Sequence, residues 1–431
     1  MVEKNDYLIM LIGSSPMPNL ISSFNRIKES GKIFMIYTKE TENIAKQLKE
    51  LIEEKNLEKS LNISVDLSYG KIYEEYNLEK VSESIKNILT KIALEYKNEN
   101  LENKSIELNF TGGTKIMSSV SYKEFKEIFK KEKAYLTYLD SEEGEFVIYD
   151  ISKNKTKKLP YSKENETINL TIDDIITMHF EAGGNELENE KFEDVKISKV
   201  NEYIFETLIE NYDKKEDFIK FMEEIYKYNT EVKNGKICNK SRNKIDENVD
   251  IINKYIENSK LKIKNIDNYS KIISIYEEEF KGLKEKKRYE LMIEDLNGRW
   301  LEKVLLKKLQ KLKEEGYIDD VRISAKRIKR NTIFEIDLIV LKNESLYCFS
   351  VTTVDNYAEA NMKLHEVNYR AKSIGGDGVK ISFISFYDNG KELEEKIKNI
   401  WDDEESLNNK YLIITLENFN KIDELIKTWL K

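Results

Sequence analysis

The chain has few of the residues from which soft-metal centres and covalent scaffolds are built. Its 431 residues include two cysteines, Cys238 and Cys348, and two histidines, His179 and His365. Neither cysteine stands in a CxxC, so a disulfide framework and a zinc ribbon are excluded. Two histidines are too few for a histidine-built site, and any metal has to be held by carboxylates, which means Mg²⁺ or Mn²⁺. The apolar run at residues 7–12, preceded by Glu3 and Asp6, is too short for a signal segment or a membrane span. A cytoplasmic protein with no membrane partner is the expectation. An excess of positive charge is lacking as well, since 71 Lys and Arg face 80 Asp and Glu for a net charge of −9. A bound polyanion must therefore meet a local basic patch, because the mean field repels it.

What the chain does have is length, enough for two to three domains with a buried core each, and an alternating pattern. Residues 7–13 (YLIMLIG) read as a buried strand that ends in Gly13-Ser14-Ser15-Pro16 and leads into an amphipathic stretch over 20–30. Strands are predicted over 32–37, 61–67, 105–110 and 133–138, and helices over 41–55, 81–97 and 115–129. Such alternation predicts an α/β fold with a parallel, doubly wound sheet, closed by a hairpin through residues 146–149. Pro160, in a Lys/Asn/Ser-rich stretch over 152–166, marks an expected linker, so a first domain spans 1–155. Residues 156–290 read as this linker and a mainly helical, polar connector, helical or winged-helix-like. From 291 to 431 the pattern is mixed again, with helices over 299–315, 357–374 and 391–401, strands over 321–328, 333–341, 345–351, 379–386 and 411–416, and a final helix. This is a second α/β domain of ordinary size.

In an open parallel sheet, ligands bind beyond the carboxyl ends of the strands. Three small polar loops fall at such ends: Gly13-Ser14-Ser15, Thr38, and Thr111-Gly112-Gly113-Thr114-Lys115. Glycines at 112 and 113 let the backbone approach an anion and aim N–H groups at it from the start of the next helix, while Lys115 and the hydroxyls add donors. The spacing is neither Walker A nor GxGxxG, and a Gly-Gly turn between strand and helix is by itself also an ordinary turn.

The string Asn109-Phe110-Thr111-Gly112-Gly113-Thr114-Lys115, placed after the fourth strand, resembles the signature of CARF domains from type III CRISPR defence systems; the likeness covers about residues 1–155. That resemblance implies a Rossmann-like domain that binds a cyclic oligoadenylate, cyclic tetra-adenylate in the first instance, as an allosteric activator at a homodimer interface. Ser14, Ser15, Thr38, Thr111, Gly112, Gly113, Thr114 and Lys115 are the binding residues it implies. A ring of four adenylates has two-fold symmetry, so an isologous dimer presents the same loops to both halves.

In the last domain a helix with Glu302, a strand with Glu335 and Asp337, the strand over 345–351 and a helix with Lys363 and Glu366 resemble, in order, the PD-(D/E)XK, restriction-endonuclease-like fold. Glu335 and Asp337 are two apart on a strand and share a face. The resemblance implies hydrolysis of DNA or RNA phosphodiesters with Mn²⁺ or Mg²⁺, held by Asp337, Glu302, Glu335 and Glu366. Where that family has Glu-x-Lys on the second strand, this chain has Ser350-Val351-Thr352-Thr353, with no charged ligand and no lysine. Two readings follow. Either Lys363 and Glu366, three apart on one helix face, replace the pair, with Ser350 and Thr352 orienting water or substrate and Lys363 stabilising the transition state, or the domain binds without cutting. Met362-Lys363-Leu364-His365-Glu366, with Arg370-Ala371 and Gly375-Gly376-Asp377, resembles CARF-linked nucleases with a Ser/Thr strand, which favours the first.

A carboxylate such as Asp337 inside an apolar strand is costly to bury without a metal or partner. The run Lys303–Lys313 with Arg322, Lys326, Arg327, Lys329 and Arg330 offers the local basic patch, or else a solvated face. Phe334, Tyr357 and Tyr369 are candidates for stacking on bases. A third possibility places cleavage of the ring itself at Ser14 or Thr114.

Overall fold

β1 (Asn5–Leu11) is buried along almost its whole length, as a strand covered by helices on both faces must be. It is followed by α1 (Met17–Asn25), β2 (Ile27–Thr38), α2 (Glu42–Glu58), β3 (Ser64–Asp66), β4 (Lys71–Ile72), α3 (Leu78–Asn98), β5 (Ser105–Asn109), α4 (Lys115–Ile128), β6 (Lys133–Asp140), β7 (Glu145–Asp150), β8 (Lys155–Pro160) and α5 (Ile172–His179). The computed structural model describes residues 4–58, 60–74, 76–98, 104–141, 143–160, 170–179, 187–190, 195, 197, 199–210, 278–279, 281–282, 298–329, 332–343, 345–375, 378–401 and 410–430. They fall into two units, one of residues 1–186 with 343–346 and 371–379, the other of 187–342, 347–370 and 380–431.

In the first unit the strands lie in the order β3-β2-β1-β5-β6-β7-β8, with β4 on β2. β1 runs parallel to β2 and β5, and β5 parallel to β6, while β6, β7 and β8 form an antiparallel meander. The chain moves outward from β1 through β2 to β3 and then returns to set β5 on the other side of β1. The direction of winding reverses between β1 and β5, which makes that junction the switch point of a doubly wound sheet. On one face Val81, Ile85, Leu89 and Ile92 of α3, a helical stripe, and Met117 and Phe125 of α4 join Ile9, Leu11, Ile106 and Leu108 in one core.

The opposite face of β5 is polar. Glu107 has no exposed surface; Arg26 Nε donates to both of its carboxylate oxygens at 3.1 Å and Arg26 Nη2 to one at 2.6 Å. Thr137 Oγ1 donates at 2.7 Å, and Asn5 Nδ2 also donates to it. The guanidinium lies 5.6 Å from the centre of the Phe146 ring.

Two local expectations are corrected. β2 begins at Ile27, ahead of the predicted strand: Asn5 pairs with Ile27 and Tyr7 with Lys32, so residues 28–31 form a bulge. β8 occupies the stretch expected to be a linker. Its Lys155, Lys157 and Lys158 are exposed on the outermost strand, where lysines discourage pairing with another sheet edge, and that edge position accounts for the linker-like composition.

The second unit contains β9 (Leu187–Glu190), α6 (Lys199–Glu210), α7 (Trp300–Glu314), β10 (Asp320–Lys329), β11 (Thr332–Lys342), β12 (Ser345–Val351), α8 (Tyr357–Gly375), β13 (Lys380–Ser385), α9 (Gly390–Trp401), β14 (Tyr411–Thr415) and, after a 3₁₀ turn, α10 (Ile422–Trp429). Its sheet order is β14-β13-β12-β11-β10-β9, parallel over β12 to β14 and antiparallel over β9 to β11. Trp300, fully buried at the start of α7, meets Phe386 edge-on, and Phe386 meets Phe419. β9 and α6 come from the stretch expected to be a connector. The rest of that stretch over 211–277, with Cys238, lies outside the described residues. No described helix is long and apolar enough to cross a membrane.

In its described part the basic run is largely paired with carboxylates. Lys307 pairs with Glu202 at 2.7 Å, Lys308 with Asp423 at 2.9 Å, Lys313 with Asp320 at 2.8 Å and Arg322 with Asp320 at 2.6 Å, and Lys303 is buried. The side chains of Lys326, Arg327, Lys329, Arg330 and Phe334 lie outside the described residues.

Removing Arg26 leaves the Glu107 carboxylate without its cation where water does not reach. Arg26→Ala is expected to lower the unfolding free energy by about 3–5 kcal/mol, and Arg26→Met with Glu107→Leu to recover most of the loss; urea titrations of the two variants check both.

Candidate functional site

The switch point brings two of the three predicted loops together. Gly13 stands against the Gly112-Gly113 turn: a Cβ on Gly13 would lie 2.9 Å from Gly113 N, and one on Gly112 only 2.1 Å from the Leu11 carbonyl oxygen. Gly113 has a φ of +80°, a conformation that favours glycine. The turn is held by polar side chains beneath it. Asn109 Oδ1 accepts from Thr111 N at 3.1 Å and Asn109 Nδ2 donates to Ser22 Oγ at 2.8 Å. Asn19 Nδ2 donates to the Leu11 carbonyl at 3.0 Å, and Ser118 Oγ to the Gly112 carbonyl at 3.1 Å. Asn19, Ser22 and Ser118 escape sequence reasoning because single polar residues on a helix read as a solvated face.

Thr114 caps α4, its Oγ1 accepting from Met117 N at 3.2 Å, and Thr111 Oγ1 accepts from Leu139 N at 2.7 Å. Each hydroxyl keeps its proton to donate. Thr38 is buried, and its hydroxyl and amide engage Thr41 at the start of α2. Ser14 and Lys115 are exposed and Ser15 is half-buried. Neither α1 nor α4 has an acidic residue in its first turn, so the positive ends of both helices are uncompensated by carboxylates of their own. Beside the turn, Phe110 meets Tyr122 edge-on at 5.7 Å and Tyr138 at 6.0 Å. The crevice can thus hold an anion through N–H and hydroxyl donors next to aromatic faces.

In the second unit, Asp337 is half-buried on β11 and accepts from Val351 N at 2.7 Å through Oδ2. Burial pushes its carboxyl up from 3.8 to about 6; the Glu335 charge adds to this, while the Val351 N–H, the Lys363 ammonium and the Ser350 hydroxyl oppose it. Asp337 thus lies with Glu335 on β11, against the Val351 amide of β12 that follows Ser350. Thr352 is half-buried, with its Oγ1 accepting from Val354 N at 3.3 Å as the chain leaves β12. Glu302 stands half-buried in the first turn of α7. Gly298, just before that helix, lies near the end of β12, since its Cβ would be 3.9 Å from Thr353 Oγ1. His365 is exposed on α8, and the side chain of His179 lies outside the described residues.

The four carboxylates predicted to hold a metal are not gathered into one cluster. Among the described residues no three Asp, Glu, His or Cys side chains are placed to share a metal ion. Glu366 is committed elsewhere: its carboxylate pairs with Lys363 at 3.4 Å and with Arg370. Of the other three, Glu335 and Asp337 lie together on β11, and Glu302, on α7, does not complete a group of three with them. The pair on β11 fits a hard divalent cation, which would relieve its repulsion, and Mg²⁺ commonly takes only one or two protein carboxylates beside waters and substrate phosphates.

Residues 7–174 match the family described as Card1 CARF domain. Two solved structures share the fold along nearly the whole chain. Protein VC1899 from Vibrio cholerae aligns with a TM-score of 0.62 at 11% identity, over 98% of this chain and 97% of the other. Can2 from Sulfobacillus thermosulfidooxidans, solved in complex with cyclic tetra-adenylate, aligns with a TM-score of 0.58 at 14% identity, over 99% of each chain. No curated protein matches the chain.

Two outcomes follow from this geometry. Gly112→Ala drives a methyl group into the Leu11 carbonyl, and the backbone shift is expected to cost about 1–3 kcal/mol, visible as a lower Tm. Asp337 behaves in the opposite way. A carboxyl with a higher pKa in the folded than in the unfolded chain takes up protons on folding, so its contribution to stability falls as pH rises from about 4 to 6. In the presence of EDTA, Asp337→Asn is expected to stabilise the protein by up to about 3 kcal/mol at pH 8, an advantage that fades as the pH approaches 4. Calorimetry across that range checks the sign.

Proposed function

We propose that this protein is a cyclic-oligoadenylate-gated effector of type III CRISPR defence. In this reading the glycine-turn crevice of the first unit binds the messenger, and the Asp337 cluster of the second cuts DNA or RNA phosphodiesters. The observation that carries it is the match of residues 7–174 to the Card1 CARF domain family, falling on a unit whose switch point packs Gly13 against the Gly112-Gly113 turn. The whole-chain likeness to Can2, solved with cyclic tetra-adenylate, makes the four-membered ring the first messenger to try. A homodimer suits a ligand with two-fold symmetry.

In the crevice, the N–H groups of the Gly112-Gly113 turn and of the first turn of α4 meet a phosphate, and Lys115 supplies the charge. Ser14, Ser15, Thr111 and Thr114 offer hydroxyl protons to the ring, and Thr38 holds the adjoining start of α2. In the second unit Glu335 and Asp337 would hold Mg²⁺ or Mn²⁺, which when bound draws charge from the scissile phosphate and acidifies a water. The Val351 N–H and Ser350 hydroxyl fix the Asp337 carboxylate, Lys363 sets an ammonium where negative charge grows in the transition state, and Thr352 shapes the exit of β12. Gating requires that the messenger bind two arrangements of the protein with different affinity.

A second reading is a messenger-gated protein that binds nucleic acid or another protein without cutting. It is favoured by the uncharged Ser350-Val351-Thr352 strand and by the commitment of Glu366 to Lys363 and Arg370.

The test is cleavage of supercoiled plasmid, single-stranded DNA and RNA with Mn²⁺, with and without cyclic tetra- and hexa-adenylate. Cutting is expected to need both ligand and metal, and to fall by about 10³-fold or more in Asp337→Ala. Tight ligand binding without cutting under any condition would favour the second reading. In calorimetric titration, Lys115→Ala is expected to weaken cyclic tetra-adenylate about tenfold, the worth of one charge-assisted hydrogen bond.

A further inference from the structure

We infer that Arg370 and Glu366 form a bracket on α8 that positions Lys363 beside Asp337. The inference rests on the nuclease reading above and assigns to Glu366 a positioning role in place of metal binding. Lys363, Glu366 and Arg370 recur at i, i+3 and i+7 on α8 and so share a face. Arg370 Nη1 donates to the Glu335 main-chain carbonyl at 2.9 Å, two residues from Asp337, and Arg370 Nη2 pairs with Glu366. Glu366 in turn pairs with Lys363 at 3.4 Å, so the lysine stands on the helix face that Arg370 docks against β11. The chain of contacts therefore runs from the backbone of β11, through a guanidinium and a carboxylate, to an ammonium on the same face of α8.

The chemistry of each link explains its residue. The Lys363 side chain is 42% exposed, and an ammonium on a flexible four-carbon stem has no preferred direction until a partner supplies one. A planar guanidinium can grip a carbonyl and a carboxylate at once in a fixed relation, which a lysine cannot. Arg370 thereby docks α8 on β11 at the level of Asp337 and offsets the Glu366 charge, which would otherwise add to the repulsion between Glu335 and Asp337.

The experiment is a double-mutant cycle on the full-length protein, measuring kcat and KM for cleavage with Mn²⁺ and cyclic tetra-adenylate. Arg370→Ala is expected to lower kcat about 30-fold with KM within about threefold of the parent, and Arg370→Lys to restore only part of the loss. In a Lys363→Ala background, Arg370→Ala is expected to change kcat less than about threefold, because the bracket then has nothing to position. Full additivity of the two losses, or an Arg370→Ala protein that cuts at the parental rate, would overturn the inference while leaving the nuclease reading intact. A parent that cuts no better than Asp337→Ala would overturn the reading and the inference together. If Arg370→Ala does not fold, Glu366→Gln takes its place in the cycle, since it keeps the Arg370 hydrogen bond to β11.

Discussion

Glu107 is a carboxylate with no exposed surface, and the layout of the first unit follows from satisfying it. Its partners come from three neighbours of β5: Asn5 from β1, Thr137 from β6, and Arg26 from the residue directly after α1. Because Arg26 must reach Glu107, the end of α1 is fixed over the sheet. Two residues further along β5 the polar seam continues, with Asn109 held to Ser22, and Asn19 of the same helix held to the Leu11 carbonyl. An apolar helix could slide by a ridge at little cost. A helix held by directional bonds to buried groups has one register, because any other would leave those groups unsatisfied. The seam ends under Gly112, so the crevice at the switch point inherits its geometry from a salt bridge buried beneath it.

The second unit handles charge differently. Around α7 the cations Lys307, Lys308, Lys313 and Arg322 each have a carboxylate, and Asp320 serves both Lys313 and Arg322. At Asp337 the balance is left incomplete: burial and Glu335 work against the charged form, and one backbone N–H, one hydroxyl and one partly exposed lysine oppose them without prevailing. A carboxylate held in that state costs stability, and carboxyls perturbed in this way cluster at functional sites. The bracket of Arg370 and Glu366 belongs with this site, since it supplies a cation to the strand while keeping a third carboxylate from adding to the repulsion.

The parts of the fold that were legible are those with local causes. The strand Ser345–Val351 was bounded by its apolar run, and the start of α4 by the glycine turn before it. The clustering of Glu335 with Asp337 followed from the two-residue period of a strand. What was not legible depends on partners far along the chain. Lys307 reads as a solvated cation until Glu202, about a hundred residues earlier, is folded against it. Thr38 reads as a loop hydroxyl until the start of α2 covers it. Glu366 has a metal ligand's chemistry and the spacing to face the strand, and only the position of Arg370 one turn later shows that its oxygens are occupied. β8 failed for a related reason, since its lysines suit an edge strand as well as they suit a linker, and nothing within the six residues distinguishes the two.

The net charge of −9 constrains how either site can meet a phosphate. The mean field does not attract a phosphate, and among the described residues Lys307, Lys308 and Lys313 of α7 are paired within the unit. The crevice answers with backbone dipoles: N–H groups of a glycine turn and the ends of two helices act over one or two bond lengths and do not depend on the total charge. In the proposed reading the Asp337 site relies on one lysine, Lys363, held by Glu366. In both places the protein substitutes orientation for quantity of charge, and orientation is what a buried polar seam under one site and an arginine bracket beside the other provide.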